Sequence, residues 1–147
     1  MWMKRSRLRA HLVVLNATTS RLGSVTSLLG VDYRHVVPAD AEFPRRIGRM
    51  DVFVRFFTWR CVPETLAVEV WQLNPDGSDR ARLFTHHGEV PFDANASVTD
   101  HVFRLPNVEV PAEGVYAVRV CRLAQSRIAR LQWKRLRQDY FRVVRAS

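Results

Sequence analysis

Residues 111–120 read Pro-Ala-Glu-Gly-Val-Tyr-Ala-Val-Arg-Val, a turn followed by a Gly-x-Tyr step and then a strand. In that strand Tyr116, Val118 and Val120 fall on one face and Ala117 and Arg119 on the other, the period of two that an extended chain imposes. A glycine that lets the chain turn sharply, followed by a tyrosine at the start of a strand, makes a corner. In stacked-sheet proteins a tyrosine so placed is known to bury its ring and anchor its hydroxyl to upstream backbone, and Gly114 and Tyr116 resemble such a corner. Gly114 and Tyr116 are therefore the expected structural residues of a chain crossing between stacked sheets. That constrains the fold and names no chemistry.

The same period recurs along the chain. Leu8, Ala10, Leu12 and Val14 alternate against Arg7, Arg9 and His11, and after the turn Arg21-Leu22-Gly23-Ser24 the segment Val25 to Val31 returns, so the two form a predicted hairpin. Met50 to Trp59 carries Val52, Val54 and Phe56 on one side and Phe53 and Phe57 on the other, as a central strand covered on both faces does. Leu66, Val68 and Val70 alternate with Ala67, Glu69 and Trp71 before Asn74-Pro75-Asp76-Gly77, the strongest turn signal present and the mark of a second hairpin. Arg80 to Phe84, Val90 with Phe92, Thr99 to Leu105, Val115 to Leu123 and Tyr140 to Val144 complete eight or nine short strands. No long helical pattern interrupts residues 10–121, and an antiparallel sandwich follows. Val52, Val54, Phe56, Leu66, Val68, Val70, Tyr116, Val118 and Val120 are its expected core.

Gln125 to Arg137 is the exception, rich in Ala, Leu, Gln, Arg and Lys and poor in β-branched residues. As a helix it places Arg127, Arg130, Lys134 and Arg137 on one stripe opposite Ile128, Leu131 and Leu136. Against this, Arg127 opposes the helix dipole and no acidic residue occupies the first turn, while Ala129, Leu131 and Trp133 alternate as in a strand. A short helix, which the composition slightly favours, and a long hairpin both remain open.

The strand, Gly-turn and strand at the N-terminus, Arg-Met-Asp-Val-Phe-Val-Arg-Phe-Phe at 49–57, the Asn-Pro-Asp-Gly turn, Glu-Gly-Val-Tyr at 113–116 and the terminal Tyr-Phe-Arg-Val-Val together resemble small uncharacterised bacterial β-sandwich proteins of the immunoglobulin-like or C2-like kind. The resemblance spans nearly the whole chain. It implies an all-β, antiparallel two-sheet sandwich, and it implies no active site. One domain covering residues 1–147, with basic N- and C-terminal segments, is the expected organisation.

No apolar run approaches the ~20 residues of a spanning helix. The opening Met-Trp-Met-Lys-Arg-Ser-Arg-Leu-Arg is basic, but the apolar stretch after it ends at Asn16 without a small-residue cleavage site, so a cytoplasmic protein is expected. Cys61 and Cys121 are too few for a disulfide scaffold and include no Cys-x-x-Cys pair. In the immunoglobulin pattern the second cysteine stands two residues after the corner tyrosine, where this chain has Val118, so two free thiols are expected.

Catalysis needs convergent groups, and few are visible. His86 and His87 form the one histidine pair, near Glu89, with His11, His35 and His101 scattered elsewhere. Adjacent residues of an extended chain point to opposite sides, which argues against a shared metal ion. Asp76, Asp79, Asp93 and Asp100 are too thinly spread for a calcium cage, and Asp76 reads as a turn residue. No phosphate loop or nucleophile elbow is present. Neither a cofactor nor a catalytic residue is expected.

Charge is arranged more tellingly. The chain carries a formal net charge of +9, yet residues 10–121 hold 11 basic and 13 acidic side chains. The excess lies at the ends, in Lys4, Arg5, Arg7 and Arg9 and in Arg122, Arg127, Arg130, Lys134, Arg135, Arg137, Arg142 and Arg145. First and last strands of a sandwich often neighbour each other, which fuses such ends into one basic patch. Trp133, Tyr140 and Phe141 lie among these arginines, suited to stacking on bases or dipping into lipid headgroups. The leading expectation is a non-catalytic binding or assembly module of unknown partner, self-association included. The first alternative is a polyanion-binding protein, for nucleic acid or an anionic membrane surface, using Lys4, Arg5, Arg7, Arg9, Arg127, Arg130, Lys134 and Arg137. The second is an enzyme or metal protein built on His86 and His87.

Overall fold

The structure, a computed structural model, describes residues 8–14, 18–22, 25–29, 33–57, 63–92, 98–125 and 131–147, and the backbone alone for 11–14, 18–22, 25–29 and 125. All regular elements among them are strands: β1 (Arg9–Val14), β2 (Thr18–Leu22), β3 (Val25–Leu29), β4 (Arg34–Val37), β5 (Arg45–Arg46), β6 (Met50–Phe57), β7 (Glu64–Leu73), β8 (Asp79–Val90), β9 (Val98–Leu105), β10 (Glu109–Val110), β11 (Gly114–Gln125) and β12 (Leu131–Arg145). A five-stranded sheet, in the order β4-β12-β11-β7-β8, faces a three-stranded sheet, β1-β6-β9. The short ladders β2-β3 and β10-β5 are accessory to them. Pairing is antiparallel throughout except for β4, which joins β12 in parallel. The protein is an all-β sandwich.

Its core lies between the two large sheets. Val52, Val54 and Phe56 of β6, Leu66, Val68 and Val70 of β7, and Tyr116, Val118 and Val120 of β11 form one cluster and are all fully buried. Every second residue of three strands thus points inward, the expectation from their period. The β7–β8 hairpin turns at Asn74–Gly77, where the Gly77 amide donates to the Asn74 carbonyl at 2.9 Å and Gly77 takes φ +85°. Asp76 holds this turn with its carboxylate, accepting from the Ser78 amide at 2.9 Å and from its hydroxyl at 2.6 Å.

At the 111–116 turn Gly114 takes φ +145°, a value that disfavours side chains. Tyr116 is fully buried, its hydroxyl donates to the Ala112 carbonyl at 2.5 Å, and its ring stacks on Phe141 at 5.3 Å. Phe141 is therefore a core residue and no part of a surface patch.

Two sequence expectations need correcting. The first strand does not pair with Val25–Leu29: β1 pairs with β6, and β3 pairs with β2. Pairing with the longer-range β6 outweighed hairpin proximity here. The helix expected as one option over 125–137 is not formed in the described part of that segment, because residues from Leu131 onward pair with β11 from Gln125 back to Gly114. Twelve cross-strand pairs along one ladder outweigh a weak local helix preference. The ladder slips once, between Val120 and Cys121, leaving Leu136 as an extra residue on β12.

Tyr116→Phe, which removes only the anchoring hydroxyl, is expected to lower stability by about 0.5–1.5 kcal/mol. Tyr116→Ala, which opens a cavity beside Phe141, is expected to cost about 3–5 kcal/mol. Urea titrations of the three proteins check both values, and equal stabilities would exclude an anchoring role.

Candidate functional site

The inward face of the five-stranded sheet is apolar, but its outward face is unusual. Directly paired residues share a face. The ladders therefore place Tyr140, Ala117 and Trp71 in one outward row, Gln138, Arg119 and Glu69 in the next, and Arg135, Cys121, Ala67 and His87 in a third. Trp133, opposite Leu123, follows toward the hairpin tip. Small residues form the floor of this face, and Ala117, Ala67 and Cys121 are buried beneath the long side chains around them.

Those long side chains are tied together. Arg119 is only 6 % exposed, stacks over the Trp71 ring at 4.9 Å, and donates to both Asp79 carboxylate oxygens at 2.9 and 2.5 Å. Its Nε donates to Gln138 Oε1 at 2.7 Å, and the Gln138 amide in turn donates to the Tyr140 hydroxyl. Trp71 Nε1 donates to Glu69 at 2.6 Å, and Arg82 lies 3.6 Å from the same carboxylate. The Arg119 hydrogen bond holds the Asp79 carboxyl below its ordinary range, with the charges of Arg119 and Arg135 adding to the effect. Burial, then the charge of Glu69, pushes the Cys121 thiol up to about 11, so it is a poor nucleophile at neutral pH. Cys121 is a free thiol, and Cys61 lies outside the described residues.

Of the basic residues singled out from the sequence, Lys4, Arg5, Arg7, Arg127 and Arg130 lie outside the described residues. Arg9 is exposed on β1, and β1 packs against β12, which carries Lys134 and Arg137. The bulge at Leu136 puts Lys134 and Arg137 on one face of β12, opposite Arg122 and Val120, while Arg135 takes the other. Elsewhere most cations meet carboxylates: Arg49 with Asp51 at 3.0 Å, Arg55 with Asp100 at 2.7 Å, Arg122 with Glu64 at 3.0 Å, and Arg145 with Glu113 at 3.1 Å. Lys134, Arg135, Arg137 and Arg142 make no ion pair among the described residues. Four cations without an ion pair among the described residues thus lie along one strand.

The histidines diverge. His86 pairs with Val68 on the inward side of β8, whereas His87 pairs with Ala67 and leans its ring on Trp133, 6.0 Å away. Glu89 shares the parity of His87, and both are exposed. His101 packs edge-on against Phe103 at 4.5 Å, and burial lowers its pKa. Among the described residues no three His, Cys, Asp or Glu side chains come together as metal ligands, and no helix is long and apolar enough to cross a membrane. Sequence reasoning missed the outward network, although the odd-numbered small residues Ala67, Ala117 and Cys121 were its signal.

No protein-family model matches the chain, and no curated protein does. Among solved structures, it is similar to the alkylpurine DNA glycosylase AlkC of Pseudomonas fluorescens bound to DNA containing an abasic site analog, at a TM-score of 0.47 and 11% identity. That likeness covers 95% of this chain and 30% of the glycosylase, so the chain spans under a third of its length. An immunoglobulin-like protein from Pseudomonas aeruginosa is similar at a TM-score of 0.38 and 14% identity, over 93% of this chain and 96% of that one.

The depressed Asp79 carboxyl sets a pH dependence. A group whose folded pKa lies below its unfolded value contributes stability above the unfolded value, ~3.9 for aspartate, and loses it as pH falls through the folded one. Wild type is therefore expected to exceed Asp79→Asn in stability at pH ~6, with the gap closing below pH ~3.9, when urea titrations are run across that range. A gap that does not change with pH would show that the Arg119 contact is not ionic.

Proposed function

We propose that this sandwich is a non-catalytic binding module that takes a polyanion along β12 and the adjoining basic ends. One observation carries the reading: Lys134, Arg135, Arg137 and Arg142 stand exposed along a single strand without ion pairs among the described residues, whereas most of the other cations with described side chains meet a carboxylate. Exposed charges left unneutralised on one element create a local positive potential, and phosphate-bearing partners answer it with counterion release. Arg9 on the neighbouring β1 adds to this region, and Lys4, Arg5, Arg7, Arg127 and Arg130 extend the same two segments in sequence. A cytoplasmic location, where nucleic acids and anionic lipid surfaces are both at hand, accompanies the proposal.

A reading as an enzyme at His86 and His87 draws no support from the geometry, since the two rings lie on opposite faces of β8. Cys121, with its raised pKa and burial, does not serve as a nucleophile either.

The test is retention of duplex DNA, single-stranded DNA and phosphatidylserine vesicles at ~50 mM salt, followed by a salt titration. Replacing Lys134, Arg135 and Arg137 together by Gln is expected to flatten the logarithmic salt slope for duplex DNA by about 3 and for single strands by about 2, leaving folding nearly unchanged. Failure to retain any of the three polyanions overturns the proposal. A concentration-dependent sedimentation coefficient would then favour assembly through the outer edge of β8, which has no partner strand among the described residues.

A further inference from the structure

We propose that the outward face of the five-stranded sheet binds single-stranded nucleic acid, with bases stacked on Trp133 and Tyr140 and phosphates met by Arg135 and Arg142. The inference rests on the polyanion reading above and specifies its ligand.

Placement comes first. The ladders put Trp133, Arg135, Tyr140 and Arg142 on one face of β12, and the two rings are 42 % and 49 % exposed despite their size. Along a strand rising ~3.3 Å per residue the rings stand about 20 Å apart, a span that several nucleotides cover. Aromatic rings of this size are expensive to leave in water unless something stacks on them, and every base offers a sequence-independent π-face.

Orientation comes second. Tyr140 is held through its hydroxyl by Gln138, which is itself held by Arg119, and Arg119 is clamped by Asp79 and seated on Trp71. Trp133 leans on His87 from across the sheet. Both rings are therefore fixed in advance, which removes the ordering cost a flexible aromatic would incur on binding.

Charge selects the occupant. Arg135 lies between the rings and Arg142 beyond Tyr140, and neither makes an ion pair among the described residues, so the surface complements a phosphate backbone. In a duplex the bases are stacked on one another and leave no free π-face for Trp133 and Tyr140 to stack on. A bilayer interior fits less well, because exposed Arg135 lies between the rings and would have to enter the acyl chains with them.

The experiment measures fluorescence anisotropy of a labelled thymidine decamer and a uridine decamer with the full chain, beside a duplex of equal length and phosphatidylserine vesicles. Both single strands are expected to bind more tightly than the duplex. Trp133→Ala and Tyr140→Ala are each expected to weaken single-strand binding by about 5- to 150-fold, without changing the salt slope. Trp133→Phe, which keeps a ring, is expected to recover most of the loss. Ring variants that bind like wild type, or a duplex or vesicles bound as tightly as the single strands, overturn the stacking inference. In that case the Lys134, Arg135 and Arg137 substitutions still decide the polyanion reading, through the salt slope alone. Absence of binding in every arm ends both.

Discussion

β11 is hydrogen-bonded to β7 on one side and β12 on the other, and it is buried on both faces. Most antiparallel sheets solve such a strand by leaving one face to water. Here the inward residues Tyr116, Val118 and Val120 meet the opposing sheet, while the outward ones, Ala117, Arg119 and Cys121, are covered by the side chains of their own sheet. The architecture follows from that double cover. Ala117 and Cys121, with Ala67 next door, are small enough to let Trp71 and Arg119 lie down over the strands, and Arg119 can be buried only because Asp79, Gln138 and the Trp71 ring satisfy its guanidinium.

That cover gives the outward face its chemical character. A guanidinium sandwiched against an indole and bonded to a carboxylate is a rigid platform, and its remaining amide contact passes the rigidity on to Tyr140. On the proposed reading, stability and recognition share atoms. The residues that keep β11 dry are the ones that fix the exposed rings, so the proposed binding surface needs no loop to be ordered.

Charge follows a second division. In the body of the sandwich the acidic residues sit within reach of arginines and neutralise them, which leaves little field there. β12 holds Asp139 as its single carboxylate among Lys134, Arg135, Arg137, Arg142 and Arg145, and of these Arg145 is bound to Glu113 and to backbone carbonyls at 39 and 41. What remains on β12 is a strand whose cations outnumber its one carboxylate, alongside the further basic residues at the N-terminal end and in 122–130. The bulge at Leu136 spreads its cations over both faces, so the positive potential surrounds the strand rather than one side of it.

The sequence alone determined the class of the fold and most of its core. Period-two alternation needs no partner to be read, which is why Val52 to Phe56, Leu66 to Val70 and Tyr116 to Val120 could be assigned to the interior, and why Asn74-Pro75-Asp76-Gly77 could be read as a hairpin turn. It also showed that basic charge gathers at the ends. Only the tertiary structure decided strand pairing, because β1 chose β6 over a nearer neighbour and β4 joined β12 in parallel, and matching of faces at long range leaves no local trace. It alone decided that residues 131–145 are strand, since the ladder to β11 supplies hydrogen bonds that composition cannot reveal. And it alone brought Asp79, Arg119, Gln138, Tyr140 and Trp71 together, because a face shared by four strands is made by registers, and registers are set only when the whole sheet closes on its core.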